Sequence, residues 1–140
     1  MSQENLDLVR TVFDGVESMD KDALLAALPE LVAQLVDPGI EWIEDPTRAD
    51  SRTYRGHEGV LASWAQWLEQ WDEYGWEAER FVDCGDDVFV AARETASGAA
   101  SGATVNAAIF IVITLRNEKV LRWREYYDEA SALEAAGLAE

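Results

Sequence analysis

Cysteine, histidine and positive charge are scarce in this sequence of 140 residues, and each shortage excludes a class of function. The single cysteine, Cys84, cannot form an internal disulfide or a multi-cysteine metal site. The single histidine, His57, leaves no histidine cluster for zinc or non-haem iron. We therefore expect no metal site and no cofactor.

Basic residues number 11 against 28 acidic ones, which gives a formal net charge of −17. Such a charge repels phosphate backbones and anionic lipids, so we expect neither nucleic acid nor a membrane surface as a partner. The first ten residues lack the basic region and the apolar run of a secretory signal, and no apolar run is long enough to span a membrane. These features predict a cytoplasmic protein.

Apolar residues recur at helical spacing in the first half of the chain and alternate with polar ones in the second. The pattern predicts helices over 4–18, from Asp20 onward, and from Gly56 to Trp71, with Pro29 interrupting the second helix. Asp37, Pro38 and Gly39 predict a turn, and residues 47–55 predict a loop. Strands are predicted over 40–44, 76–83, 88–96, 104–115 and 119–127, and a short final helix over 129–136.

Helices followed by a meander of strands favour a single α+β domain, spanning residues 1–140, with an antiparallel sheet. Long strands twist, so this sheet should be strongly curved. Helices that lie across its concave face would then enclose a pocket. We expect Trp64, Trp67 and Trp71 of the third helix to pack on the sheet.

The chain contains five segments, NLDLVRTVFDGV, MDKDALLAAL, YRGHEGV, FVDCGDDVFV and TLRNEKVLRWREYYDEASALEAAGL, that together span nearly all of it. Their order resembles the SnoaL-like branch of the NTF2-like superfamily, which includes ketosteroid isomerases and polyketide cyclases. The resemblance implies an NTF2-like cone with an apolar pocket, and a homodimer that forms sheet to sheet through an outer face carrying Phe110 and Val112. It specifies a fold more closely than an activity.

The segment EWIEDP is similar to the strand end of ketosteroid isomerases, where an aspartate before proline is the general base. On this resemblance Asp45 is a candidate catalytic carboxylate. The isomerases' hydrogen-bond donors would fall near Phe13 and Ile111, which cannot donate, so steroid isomerisation by that mechanism is not expected. Alternatively, Asp45 only closes a turn with Pro46.

Glu125 is the second candidate carboxylate. Trp123, Glu125 and Tyr127 share one face of the last predicted strand, and this aromatic face should point inward. In the SnoaL-like cyclases that the chain resembles, a carboxylate late in the sequence is the acid or base. Alternatively, Glu125 forms an ion pair on the sheet with Arg93 or Arg124.

Three functions remain open, and the last of them is a pure interaction domain with a collapsed core. The first is a cofactor-free enzyme of the isomerase, cyclase or hydrolase type, in which Asp45 or Glu125 moves a proton on a hydrophobic small molecule while Tyr127 or Tyr54 donates a hydrogen bond. The second is a non-catalytic module that binds a hydrophobic ligand or forms a dimer. A carboxylate that faces the pocket should have a raised pKa and a tyrosine hydroxyl within hydrogen-bonding distance. The pocket should be lined by Phe13, Trp42, Tyr54, Trp64, Trp67, Ile111 and Trp123.

Overall fold

The structure is a computed structural model that describes residues 2–49, 51–98 and 102–138. Its elements are α1 (Ser2–Glu17), α2 (Lys21–Leu35), β1 (Val36–Ile43), β2 (Thr53–Arg55), α3 (Gly56–Glu69), β3 (Glu73–Cys84), β4 (Asp87–Ser97), β5 (Thr104–Arg116), β6 (Lys119–Tyr126) and α4 (Glu129–Ala135). Within these described ranges, no helix is both long enough and apolar enough to cross a membrane.

The six strands form one sheet in the order β2-β1-β6-β5-β4-β3. Strands β3 to β6 are an antiparallel meander, as predicted. The sheet as a whole is mixed, because β1 pairs parallel with β6. A parallel pair needs a long connection, and here that connection includes α3 and three strands of the meander.

The main core lies between the sheet and the helices α1, α2 and α3. Phe13 of α1, Leu28 of α2 and Trp64 of α3 are buried against inward-facing residues such as Val90 and Ile111. Irregular register interrupts the pairing of β3 with β4 and of β5 with β6, and such bulges bend strands. The α+β architecture, with helices packed on a curved sheet, is confirmed.

The segment around β1 differs from its prediction. Helix α2 continues through Pro29, and the expected turn at 37–39 lies inside β1. The register between β1 and β6 shifts between Val36 and Glu41, and β2 pairs only with residues 41–43. Pro38 therefore occupies a stretch of strand without regular pairing, where its missing N–H breaks no ladder bond. The predicted loop at 47–55 ends in the short strand β2.

Helix α4 covers part of the opposite face of the sheet. Ala132 of α4 packs with Phe89, Ala91 and Val112, which form a second apolar cluster. Asp128 caps α4 by accepting a hydrogen bond from the Ser131 N–H at 3.0 Å. Val112 is thus fully buried by the chain's own helix. The sheet-to-sheet homodimer stays a prediction, and its contact would have to use surface that α4 leaves uncovered.

Candidate functional site

A polar cavity lies between α3, the segment after β1 and the adjoining parts of β3, β4 and β6. The space that the centre of a water molecule can occupy inside it is about 30 Å³, which is room for about two water molecules. Its walls combine six aromatic side chains, two of them tyrosines, with three carboxyl groups, one guanidinium and one serine hydroxyl. The lining residues are Trp42, Glu44, Arg48, Ser63, Trp64, Trp67, Tyr74, Trp76, Glu94, Glu125 and Tyr127.

Glu125 reaches this cavity because β6 alternates, which places Trp123, Glu125 and Tyr127 on the inner face as predicted. The Trp123 Nε1–H donates a hydrogen bond to Glu125 Oε2 at 3.0 Å. Burial raises the pKa of Glu125 to about 8, and the charges of Glu94 and Glu44 act in the same direction. The Trp123 hydrogen bond and Arg48 oppose the rise without cancelling it. Glu125 is therefore mostly protonated at neutral pH.

A second carboxyl in the cavity, Glu94 on β4, is not among the sequence-derived candidates. It is only 5% exposed. The Tyr74 hydroxyl donates to Glu94 Oε2 at 2.5 Å, and the Trp76 Nε1–H donates to the same oxygen at 3.3 Å. Burial, followed by the charge of Glu94, raises the pKa of Tyr74 well above 10, so this hydroxyl keeps its proton. The prediction placed a tyrosine hydroxyl beside Asp45 or Glu125, whereas the tyrosine that bonds to a carboxylate here is Tyr74, and its partner is Glu94.

Arg48 and Tyr127 stand where the cavity meets the surface. Arg48 is 3.7 Å from Glu44, lies over the Trp67 ring at 6.0 Å from its centre, and hydrogen-bonds to Tyr127. Burial and the charges of Glu94 and Glu125 raise the pKa of Tyr127 to about 12. A surface cleft that includes Tyr54 adjoins this point, and it shares Glu44, Arg48, Ser63 and Trp67 with the cavity.

Asp45 is buried, but it does not line this cavity. Its carboxylate accepts hydrogen bonds from Thr47 N–H at 2.7 Å, Thr47 Oγ1–H at 2.6 Å and Tyr127 N–H at 2.5 Å. Burial tends to raise its pKa, but these bonds and Arg48 outweigh burial and lower it. Of the two carboxyls that the sequence offered for a raised pKa, Asp45 is therefore not the one, because its pKa is lowered. The geometry matches the alternative, a carboxylate that closes a turn and ties it to the end of β6.

The alternative for Glu125, an ion pair with Arg93 or Arg124, is also wrong. Arg124 is 3.5 Å from Asp87, and Arg93 is 3.7 Å from Glu79. Alternation places residue 124 on the opposite side of β6 from Glu125. Among the residues that the structure describes, neither Arg93 nor Arg124 therefore forms an ion pair with Glu125.

An apolar chamber adjoins the polar cavity, with about 90 Å³ in which a water-sized molecule can be centred. Trp42, Trp64 and Trp76 line both spaces and separate them. Partly buried residues of α1 and α2, such as Val16 and Leu31, form its outer wall. The lining residues are Val12, Val16, Leu24, Leu28, Leu31, Val32, Leu35, Val36, Trp42, Val60, Trp64, Trp76, Val120 and Trp123.

The structure divides the predicted pocket residues among these spaces. Trp42 and Trp64 line both, Trp67 lines the polar cavity, and Trp123 lines the apolar chamber. Phe13 lies behind the chamber, stacked on Trp76 at 5.6 Å and on Trp123 at 6.1 Å between ring centres. Ile111 lines neither space, because it is fully buried beneath them in the sheet.

Six residues that line the polar cavity were not predicted from the sequence: Glu44, Arg48, Ser63, Tyr74, Trp76 and Glu94. Glu94 had a readable signal, because alternation aligns it with Val88, Val90 and Ala96 as the one carboxyl on an apolar strand face. Arg48 had none, since it lies in an irregular loop. Within the described ranges, no group of three or more His, Cys, Asp or Glu residues could hold a metal ion.

Comparisons with known proteins identify the fold. The sequence profile of the SnoaL-like domain matches residues 9–123. A candidate SnoaL-like polyketide cyclase from Jannaschia sp. CCS1 is 20% identical with a TM-score of 0.70, covering 99% of this chain and 94% of its own. An NTF2-like protein from Burkholderia xenovorans LB400 is 25% identical with a TM-score of 0.67, covering 97% and 98%.

A third similar structure holds a small molecule. It is a protein with a ketosteroid isomerase-like fold from Catenulispora acidiphila DSM 44928, in complex with trimethylamine. It is 18% identical with a TM-score of 0.63, covering 84% of this chain and 91% of its own. No curated protein matches the chain in sequence.

Proposed function

The chain belongs to the SnoaL-like domain family, and we propose that it is a cofactor-free enzyme in which Glu125 transfers a proton to and from a small, largely hydrophobic molecule. The observation that carries this proposal is a carboxyl group with a pKa of about 8 in a cavity lined by aromatic rings. General acid–base catalysis is most efficient when the pKa of the group is close to the working pH. Glu125 can therefore both give and regain a proton near neutrality.

Glu94 supports this role as a positioning residue. Its charge helps to keep the proton on Glu125, and Tyr74 and Trp76 hold it in place. Tyr127 stands at the entrance with its hydroxyl protonated and is the nearest candidate for a donor to a substrate oxygen. Asp45 acts through Tyr127, because its hydrogen bond fixes the backbone of that residue.

The second candidate function is non-catalytic binding of a hydrophobic ligand in the apolar chamber. Its support is the chamber's lining, which consists of aliphatic side chains and indoles. Empty apolar cavities of this kind stay dry and accept small apolar molecules. Both spaces are well below the roughly 300 Å³ of an ordinary ligand site, so the ligand is small or the indole walls move.

The proposed chemistry can be tested without knowing the substrate. A panel of small ketones and enones is incubated with the protein in D₂O, and deuterium uptake at carbon is followed by NMR and mass spectrometry. We expect uptake above the buffer rate, with a loss of about 100-fold or more in Glu125→Gln, since acid–base groups contribute that much. The matched control is Glu77→Gln, which changes an exposed carboxylate on β3. Uptake that is equal in wild type and Glu125→Gln would contradict the proposal.

A further inference from the structure

The rings of the polar cavity stand at steep angles to one another. Trp64 meets Trp42, Tyr74 and Trp76 edge to face, with ring centres 5.9, 5.9 and 5.0 Å apart and interplanar angles of 76°, 76° and 71°. Trp67 meets Tyr74 at 6.3 Å and 89°. All five of these residues line the polar cavity, and we call them the aromatic box (Trp42, Trp64, Trp67, Tyr74 and Trp76). The faces of such rings carry negative potential.

The hydrogen-bond donors beside the two carboxyls are already engaged. Tyr74 and Trp76 donate to Glu94, and Trp123 donates to Glu125. These three donors are therefore not available to a ligand, which can still contact the carboxyl oxygens and the aromatic rings of the cavity. A cation would find several acceptor oxygens in this cavity, because Glu44, Glu94 and Glu125 all line it.

The charges of the cavity favour the same class of ligand. Three carboxyls, those of Glu44, Glu94 and Glu125, share the lining with one guanidinium, that of Arg48. Arg48 is itself engaged by Glu44 and Tyr127. A cation over the face of an aromatic ring is attracted by the negative potential of that face, in addition to its attraction to carboxylates.

We propose that the polar cavity binds a small organic cation, namely a methylated amine, between the aromatic box and the carboxylates of Glu94 and Glu125. The narrow space limits the cation to a head group of a few heavy atoms. This inference concerns the same cavity as the proposed function, but it does not require the proton transfer itself.

Binding of a cation must be linked to the titration of Glu125. A bound positive charge favours the ionised carboxylate, so a permanently charged amine should bind more tightly as the pH rises through about 8. The groups that face Glu125 are Glu44, Arg48, Tyr74, Glu94 and Tyr127. The two tyrosines, with raised pKa values, stay protonated in this range.

Tetramethylammonium chloride is the probe for the test, with tert-butanol as an uncharged molecule of the same heavy-atom count. Calorimetry and tryptophan fluorescence at pH 6 and pH 9, against equal sodium chloride, measure both affinities. We expect saturable binding of the cation that is at least tenfold tighter than that of tert-butanol and several-fold tighter at pH 9 than at pH 6. Glu94→Gln should weaken the affinity for the cation at least tenfold, whereas Glu77→Gln should leave that affinity unchanged.

The comparison of cation with alcohol needs no variant, so a misfolded variant cannot obscure it. Equal affinities for the two molecules, or cation binding that is unchanged in Glu94→Gln, would overturn the inference. Cation binding without deuterium uptake by any ketone would leave the inference standing and remove the proposed enzyme. Deuterium uptake without cation binding would leave the proposed enzyme standing and overturn the inference.

Discussion

The raised pKa of Glu125 makes the stability of the fold depend on pH in a direction that can be measured. The carboxyl titrates at about 8 in the folded protein and at about 4.5 in the unfolded chain. Between these values the folded state binds more protons than the unfolded state, so the free energy of unfolding falls as the pH rises. A pKa difference from 4.5 to about 8 corresponds to at most about 5 kcal/mol.

Glu125→Gln removes this titration and keeps an acceptor for the Trp123 N–H. We therefore expect wild type and variant to diverge steadily above pH 4.5, with the variant becoming the more stable of the two. The difference should grow until about pH 8 and then level off at a few kcal/mol. This final difference in stability is smaller than about 5 kcal/mol because water and small movements of the protein partly solvate the charge of Glu125.

Urea unfolding at half-unit steps from pH 5 to pH 9 measures this difference. Other carboxylates also repel one another as the pH rises, but their effect is common to both proteins and cancels in the comparison. Glu77→Gln, on the exposed side of β3, controls for the loss of one negative charge. Parallel curves for wild type and Glu125→Gln would refute the reasoning, because they would show that Glu125 has the same pKa in both states.

Two further predictions concern the neighbouring carboxyls. Asp45→Asn should lose about 2 kcal/mol of stability at pH 7, because Asn cannot match the charged acceptor of three hydrogen bonds. The lowered pKa of Asp45 means that this difference should shrink as the pH falls below 3.8, and a constant difference in urea titrations would contradict it. Glu94→Gln should lower the pKa of Glu125 towards 4.5, since the charge of Glu94 contributes to raising it. NMR titration of the Glu125 carboxyl carbon measures this, and an unchanged pKa would exclude the coupling.

Local periodicity was enough to predict most of the architecture. Alternation along β6 correctly placed Trp123, Glu125 and Tyr127 on the inner face, and helical spacing placed Trp64 against the sheet. The same alternation along β4 would have placed Glu94 on the inner face, had one face of that strand been taken as buried. Period-two patterns work here because each strand of the meander pairs with its neighbour in sequence.

What the sequence could not supply were the effects that depend on distant chain segments. The parallel pairing of β1 with β6 joins residues about 80 positions apart, and no local pattern encodes it. The pKa of Asp45 depends on the Tyr127 N–H, which lies 82 residues away in sequence. Burial alone suggested a raised pKa, whereas the donated hydrogen bonds reverse the sign.

The acidity of Glu125 and the packing of the aromatic core share one residue, Trp123. Its ring stacks on Trp42 with centres 4.2 Å apart and planes at 9°, and on Trp76 at 5.7 Å and 12°. Its N–H donates to Glu125, a bond that favours the ionised carboxylate. Because Trp42 and Trp76 also separate the two cavities, a molecule that displaced them would disturb the Trp123 stack and its bond to the acid. We therefore expect a small molecule that displaces these rings from the apolar side to shift the pKa of Glu125, and NMR titration of its carboxyl carbon with and without that molecule would measure the shift.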